Sequence, residues 1–212
     1  IFNANRLDVG NPFGISGAVT QSGGEVNLAG ANVGSTSVAM RLGHWPAETS
    51  TYDMSGGVLN ADANVYIGWD GIGLMTLSND ADVNVDTTLI VQRNSTLTIE
   101  DDATVNANFF SIGDQRGVGN VDQDGGTVTI TGGNGVRVGH WPAGAGSDYD
   151  MSSGQLITPT LAVGWDGGNS TMQVTGDADV DVAGSLIVQR NSTFTISDDS
   201  TVDANFFSIG DQ

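Results

Sequence analysis

Eight residues at one fixed phase of this sequence carry side chains suited to chemistry. They are His44, Trp69, Arg93 and Asp114, followed in the same order by His140, Trp165, Arg190 and Asp211. Each comes directly after the Gly or Gln that closes an apolar run. The next phase reads Trp45, Asp70, Asn94, Gln115, then Trp141, Asp166, Asn191, Gln212. Residues that share a phase in a repeating chain become neighbours along one edge, and two chemistries then compete. One is a repeated ligand strip in which Trp faces grip sugar rings. The other is a surface ladder that fixes register, with Arg93 against Trp69 on one side and paired with Asp114 on the other. Such cation–π and exposed ion-pair contacts contribute roughly 0.5–1 kcal/mol each, and long sheets need register devices.

Acidic turns form a second constellation. Asp80 and Asp102 stand at equivalent positions one step apart, as do Asp177 and Asp199, with Asp82, Asp101, Asp179 and Asp198 close by. Like charges stacked about 4.8 Å apart repel unless they are solvated or bridged. Calcium, with its six to eight oxygen ligands, is the natural bridge. Neither EF-hand spacing nor a GGxGxD nonapeptide is present, and solvated turn aspartates account for the same pattern. His44 and His140 each precede Trp-Pro and lie four steps apart, about 19 Å at sheet spacing, too far to share a metal. The Gly runs precede no helix and read as turns rather than phosphate loops. Asn-Ser-Thr at 94, 169 and 191 fits both glycosylation and ordinary turn chemistry.

The elements that must position these residues come from a repeat. RLGHWPA at 41–47 returns as RVGHWPA at 137–143, and YDMSGG at 52–57 as YDMSSG at 149–154. LIVQRNST recurs at 89–96 and 186–193, and NFFSIGDQ at 108–115 and 205–212. The offsets are 96 or 97 residues. Each unit divides again, because apolar-x-apolar triplets followed by a polar turn begin at Val19, Tyr52, Met75, Leu97, Val121, Tyr149, Met172 and Phe194. The basic step is 22–24 residues, four steps make one unit, and insertions stretch two of the steps. One step reads as three short strands, such as Tyr52-Asp53-Met54, Leu59-Asn60-Ala61 and Val65-Tyr66-Ile67, because apolar and polar residues alternate between Gly, Asn and Asp turns. Three strands in so few residues bury no core alone. Stacked coils do, since each inward side chain lands on its equivalent one coil away. The expectation is an all-β chain, a right-handed parallel β-helix of about eight coils and roughly 40 Å. It is one solenoid over 1–212, with units at 19–120 and 121–212 and a partial coil at 1–18. Val83, Val105, Val128, Leu156, Val180 and Val202 are expected to point inward, and Asn84, Asn106, Thr129, Ile157, Asp181 and Asp203 outward.

Composition agrees. Among 212 residues are 31 Gly, 25 acids of which 22 are Asp, and six Arg with no Lys, for a formal charge of −19. Asp favours turns and opposes helix. Such charge excludes nucleic acid and anionic membrane surfaces as partners. With no Cys there is no disulfide, and the redox compartment stays open. No apolar stretch is long enough to span a membrane. The chain opens at Ile1 without a signal peptide and reads as a mature or excised piece of something longer.

The phrases YDMSGGVLNADANVYIGWDG and VDQDGGTVTI resemble the strand–turn repeats of secreted bacterial parallel β-helix proteins, including autotransporter-passenger-like proteins and surface repeat proteins with a PEP-CTERM sorting signal. The resemblance spans the whole chain and implies a secreted, extracellular, elongated right-handed β-helix. No sorting signal or transporter domain is visible. Polysaccharide lyases also resemble this architecture and use an Arg with calcium-binding acids on one face. Here that reading would place one active site at Arg93, Asp70 and Asp114 and an identical second at Arg190, Asp166 and Asp211, and the expectation is no enzyme. The expected function is a structural segment of a secreted fibre, sheath or cell-surface protein. Its partner is itself, head to tail or as flanking coils of a longer chain. The alternative is a carbohydrate-binding adhesin using the Trp edge, with polysaccharide as partner. No cofactor is expected beyond the calcium named above.

Overall fold

The structure, a computed structural model, describes residues 1–11 and 13–210. The chain winds into a parallel β-solenoid of about nine turns. Strands stack in three columns. In the first, Val19 pairs with Tyr52, and the register continues through Met75, Leu97, Val121, Tyr149 and Met172 to Phe194. These are the eight triplet starts expected from the sequence. The second column runs Phe2, Val26, Leu59, Val83, Val105, Val128, Leu156, Val180, Val202. The third runs Val9, Leu42, Ile67, Val91, Ile112, Val138, Val163, Val188, Ile209. The short strands Phe2–Ala4 and Leu7–Val9 supply the ninth layer of the last two columns.

The core is the inward side of all three columns. Val83, Val105, Val128, Leu156 and Val180 are buried, and Val202, on the last coil with nothing stacked beyond it, is partly buried. Two tyrosines enter this apolar core with a polar partner each. The Tyr52 hydroxyl donates to Gln21 Oε1 at 2.7 Å and the Tyr149 hydroxyl to Gln123 Oε1 at 2.6 Å, while the two Gln amides donate to the Val58 and Gln155 carbonyls. A buried hydroxyl without such a partner is costly. Burial pushes the Tyr52 phenol up to about 12 and raises Tyr149 as well.

The turn between the first and second strands comes in two kinds. In four coils the residue nearest the left-handed helical geometry is a glycine, Gly24, Gly57, Gly126 or Gly154, preceded in three of them by another glycine at positive φ. In the other four it lies one position earlier, at Asn79, Asp101, Gly176 or Asp198. The kinds alternate in pairs, which is why the true repeat is four coils rather than one. After the third strand, a left-handed Gly such as Gly68 or Gly113 makes the turn, and there is no room for a side chain. A Cβ on Gly68 would stand 2.1 Å from Ser95 Oγ, and one on Gly113 would stand 1.9 Å from Ser147 Oγ. Those buried serines accept hydrogen bonds from Gly73 N and Gly119 N, at 2.9 and 3.1 Å, closing the corner between coils.

The sequence between 29 and 38, a bland insertion by composition, forms part of a hairpin. Ala31–Val33 pairs antiparallel with the start of Thr36–Leu42. One short 3-10 turn, Pro142–Gly144, follows Trp141.

Candidate functional site

The third-strand register carries His44, Trp69, Arg93, Asp114, His140, Trp165 and Arg190 to successive coils at one edge, as the common phase predicts. Asp211 lies outside the described residues. The contacts within the column differ from the expected ladder. Arg93 pairs with Asp70 at 3.4 Å, rather than reaching from Trp69 to Asp114. Arg190 pairs with Asp166 at 3.5 Å and donates from Nε to the Trp165 carbonyl at 2.8 Å. The cause is local. Arg93 and Asn94, like Arg190 and Asn191, both take left-handed backbone, a two-residue turn that redirects the side chain.

The guanidinium groups over the indoles come from other positions. Trp69 is approached by Arg41 of the preceding coil, 5.3 Å from the ring centroid, and by Arg116 of the coils that follow, 4.2 Å away. Arg116 also ion-pairs with Asp70 and donates to the Trp69 carbonyl at 3.1 Å. Tyr66 meets Trp69 edge-on at 4.6 Å. Trp165 carries Arg137 at 4.0 Å, the repeat counterpart of Arg41. Arg41 and Arg137 both lie at an outward position of the third strand, a signal the single-column reading passes over.

Asp114 belongs to a different cluster. Ser111 Oγ lies 2.7 Å from Asp114 Oδ2 and 2.8 Å from His140 Nδ1, and Arg137 Nη1 lies 3.0 Å from His140 Nε2. The residue types are those of a hydrolytic triad, but the proton logic is reversed. Arginine can only donate, so Nε2 is the acceptor and Nδ1 carries the hydrogen. The imidazole therefore donates to Ser111, which donates to Asp114, and no base is left to activate the hydroxyl. Ser111 is also fully buried. Burial raises the Asp114 carboxyl, but hydrogen bonds from His140, the Gln115 backbone and Ser111 outweigh it, and the net shift is downward. In the first unit Asp8 stands where Ser111 stands. Arg41 grips it with two hydrogen bonds of 2.7 and 2.6 Å, and His44 Nδ1 lies 3.8 Å away. Burial raises Asp8 too, but the hydrogen bond and charge of Arg41, with His44 and Arg6 adding to them, give a net lowering.

Trp45 and Trp141 project from the insertions beside the same edge, 36 and 38% exposed, each beside its preceding histidine ring.

The acidic turns do not form a calcium cage. Asp80, Asp102, Asp177 and Asp199 are all exposed, and among the described residues no three His, Cys, Asp or Glu side chains converge as ligands. Their neighbours have a structural task instead. Asp101 accepts from the Asn79 backbone N–H at 3.0 Å, and Asp198 from that of Gly176 at 3.3 Å. A carboxylate of one coil thus satisfies the left-handed residue of the coil before it.

One constellation contains no reactive group. Asn3, Asn27, Asn60, Asn84 and Asn106 stack outward along the second column. From Asn27 onward each Nδ2 donates to the Oδ1 of the preceding coil, at 2.9, 2.8, 3.1 and 3.0 Å. The column continues as Thr129, Ile157, Asp181 and Asp203, so the ladder belongs to the N-terminal half.

Comparison with known protein families, characterised proteins and solved structures finds no match for the chain.

Proposed function

We propose that this chain is a non-enzymatic structural segment of a secreted fibre, sheath or cell-surface protein, whose work is to stack coils into a rod. The observation that carries this reading is the division of labour among its polar side chains. The reactive residue types at the edge are spent on one another or on backbone groups of adjacent coils. Apolar side chains are also exposed at both ends. Ile1, Phe2, Phe13 and Ile15 are exposed at one, and Ile196, Phe206, Phe207 and Ile209 at the other. Such faces and their unpaired strand edges favour further coils. A flanking coil would extend all three columns. In this reading the partner is the chain itself, head to tail or as flanking coils of a longer chain.

The test is a chain carrying a third copy of the unit, with small-angle scattering as the readout. The expected product is a single rod, longer by four coils or about 19 Å. Two separate bodies, or an unfolded extension, would overturn the reading. The exposed indoles of Trp45 and Trp141 favour the adhesin alternative, and binding on a glycan array that disappears in the double Trp→Ala variant would support it instead.

A further inference from the structure

We propose that the pocket between Tyr66, Gln92 and Arg116 is a binding site for a small neutral polyol, which accepts a hydrogen bond from the Gln92 amide and donates one to Asp114. The pocket, of about 150 Å³, is walled by Thr36, Tyr66, Trp69, Gln92, Asp114 and Arg116. Four successive coils supply them. Thr36 comes from the hairpin, Tyr66 and Trp69 from the next coil, Gln92 from the third, and Asp114 and Arg116 from the fourth. Further coils stack on both sides of these four. The second unit has no equivalent of two of the walls. Where the hairpin carries Thr36 it has only the short turn at 131–135, and Ala162 stands where Tyr66 stands. Devices that fix register recur with the coils, as the asparagine ladder does, whereas a ligand needs its pocket once.

The chemistry of the ligand follows from one side chain. Gln92 is 1% exposed and lines the pocket. Its Oε1 accepts from the Arg116 backbone N–H at 3.4 Å, which fixes the orientation of the amide. Its Nε2 has no hydrogen-bond partner among the described residues. A buried donor left orphaned is unfavourable, so the group that satisfies it must bring an acceptor. Ammonium and guanidinium groups only donate, which excludes them. An anion brings acceptors, but it meets the Asp114 carboxylate in a chain of formal charge −19. Hydrogen bonds from His140, the Gln115 backbone and Ser111 outweigh burial at Asp114 and hold that carboxyl in its charged form. A neutral hydroxyl meets both demands, since it accepts from Gln92 and donates to Asp114. Size sets the limit. A cavity of about 150 Å³ holds a ligand as large as benzene, and glycerol has the same number of non-hydrogen atoms.

The test follows the indole N–H signals of the four tryptophans by NMR during titration with glycerol. The Trp69 signal, assigned with a Trp69→Phe variant, should shift saturably with a Kd on the order of millimolar. Trp45, Trp141 and Trp165 should show only the linear drift of a changing solvent. Gln92→Met removes the amide at similar size and should weaken binding about tenfold. Dimethoxyethane, which matches glycerol in non-hydrogen atoms and accepts but cannot donate to Asp114, should bind the unmodified chain about tenfold more weakly as well. Maltose, too large for the volume, should leave Trp69 unshifted. A Trp69 signal that drifts linearly with the other three would mean that water alone satisfies Gln92, and would overturn the site. Undiminished binding by a Gln92→Met variant with an unchanged circular dichroism spectrum would overturn the role of the amide. The dimethoxyethane comparison needs no variant, and equal binding of the two compounds would overturn the polyol assignment. A saturable response to maltose would overturn the restriction to small ligands.

Discussion

His44 sits between opposing charges at the residue scale. Burial lowers its affinity for a proton, and Arg41 and Arg6 lower it further, while Asp8 and Glu48 raise it; the net shift is below the ordinary value of 6.5. The unfolded chain therefore binds the proton more tightly than the folded one. His44 contributes stability that is fully present above the unfolded value of 6.5 and is lost as pH falls through the lower folded value. Thermal melts from pH 7.5 down to 5 should show a falling Tm, and His44→Asn should flatten that fall. A variant with the wild-type pH profile would sink the assignment. Asp122 and Asp148 work in the opposite sense at lower pH, because burial and neighbouring Asp150 raise both carboxyls. The column containing His44 was legible from spacing alone, since the phase of a repeat fixes which coil a residue joins. Its pairings were not. Arg93 turns away from Asp114 because two consecutive left-handed residues set its direction, and no count of residues reveals that.

At the scale of the strand and the turn, hydrophobic alternation was enough to place every member of the first column from Val19 to Phe194. The inward residues of the second column followed, because a period of two leaves one choice of face. What alternation hides is the polar face. The sequence shows Asn84 and Asn106 as outward neighbours, yet the directed amide chain depends on side-chain rotamers and on coil spacing. Within that ladder each interior asparagine both donates and accepts. Asn84→Ala should strip Asn60 Oδ1 and Asn106 Nδ2 of their partners at once, and should cost about 1–2 kcal/mol. Asn3→Ala, at the end of the ladder, removes one bond at an exposed position and should cost less. Urea denaturation of the two variants checks the order, and equal losses would mean that the ladder contributes no more than solvated amides do. The paired alternation of turn types was also hidden. GG at 56–57 and ND at 79–80 both read simply as turns, although the left-handed residue shifts by one position between them.

At the scale of the whole molecule, a formal charge of −19 is held on a narrow rod. Aspartates stack along its outer columns, as Asp122 does with Asp150 and Asp181 with Asp203. Their mutual repulsion opposes the coil stacking that buries the core, and a stretched, unfolded chain relieves it. Screening should therefore stabilise the fold. The Debye length shrinks from about 30 Å at 0.01 M salt to about 10 Å at 0.1 M, which removes repulsion between distant coils first. The same salt weakens Arg93–Asp70 and Arg190–Asp166, but these few exposed pairs are each worth about 1 kcal/mol at most. With 25 acids against six arginines, most carboxylates have no cation to pair with, so Tm should rise with sodium chloride across this range. Calcium provides the control that separates screening from a bound ion. At matched ionic strength it should raise Tm no more than sodium does, because the acidic turns supply exposed carboxylates in pairs and, among the described residues, no converging set of three. An ion held by the folded form alone would add stabilisation that grows with its concentration relative to its dissociation constant. A calcium-specific rise, reversed by EDTA and lost in an Asp80→Asn, Asp102→Asn double variant, would restore the bridging role to those turns. A fall in Tm with added sodium chloride would show that the edge ion pairs outweigh the repulsion along the rod.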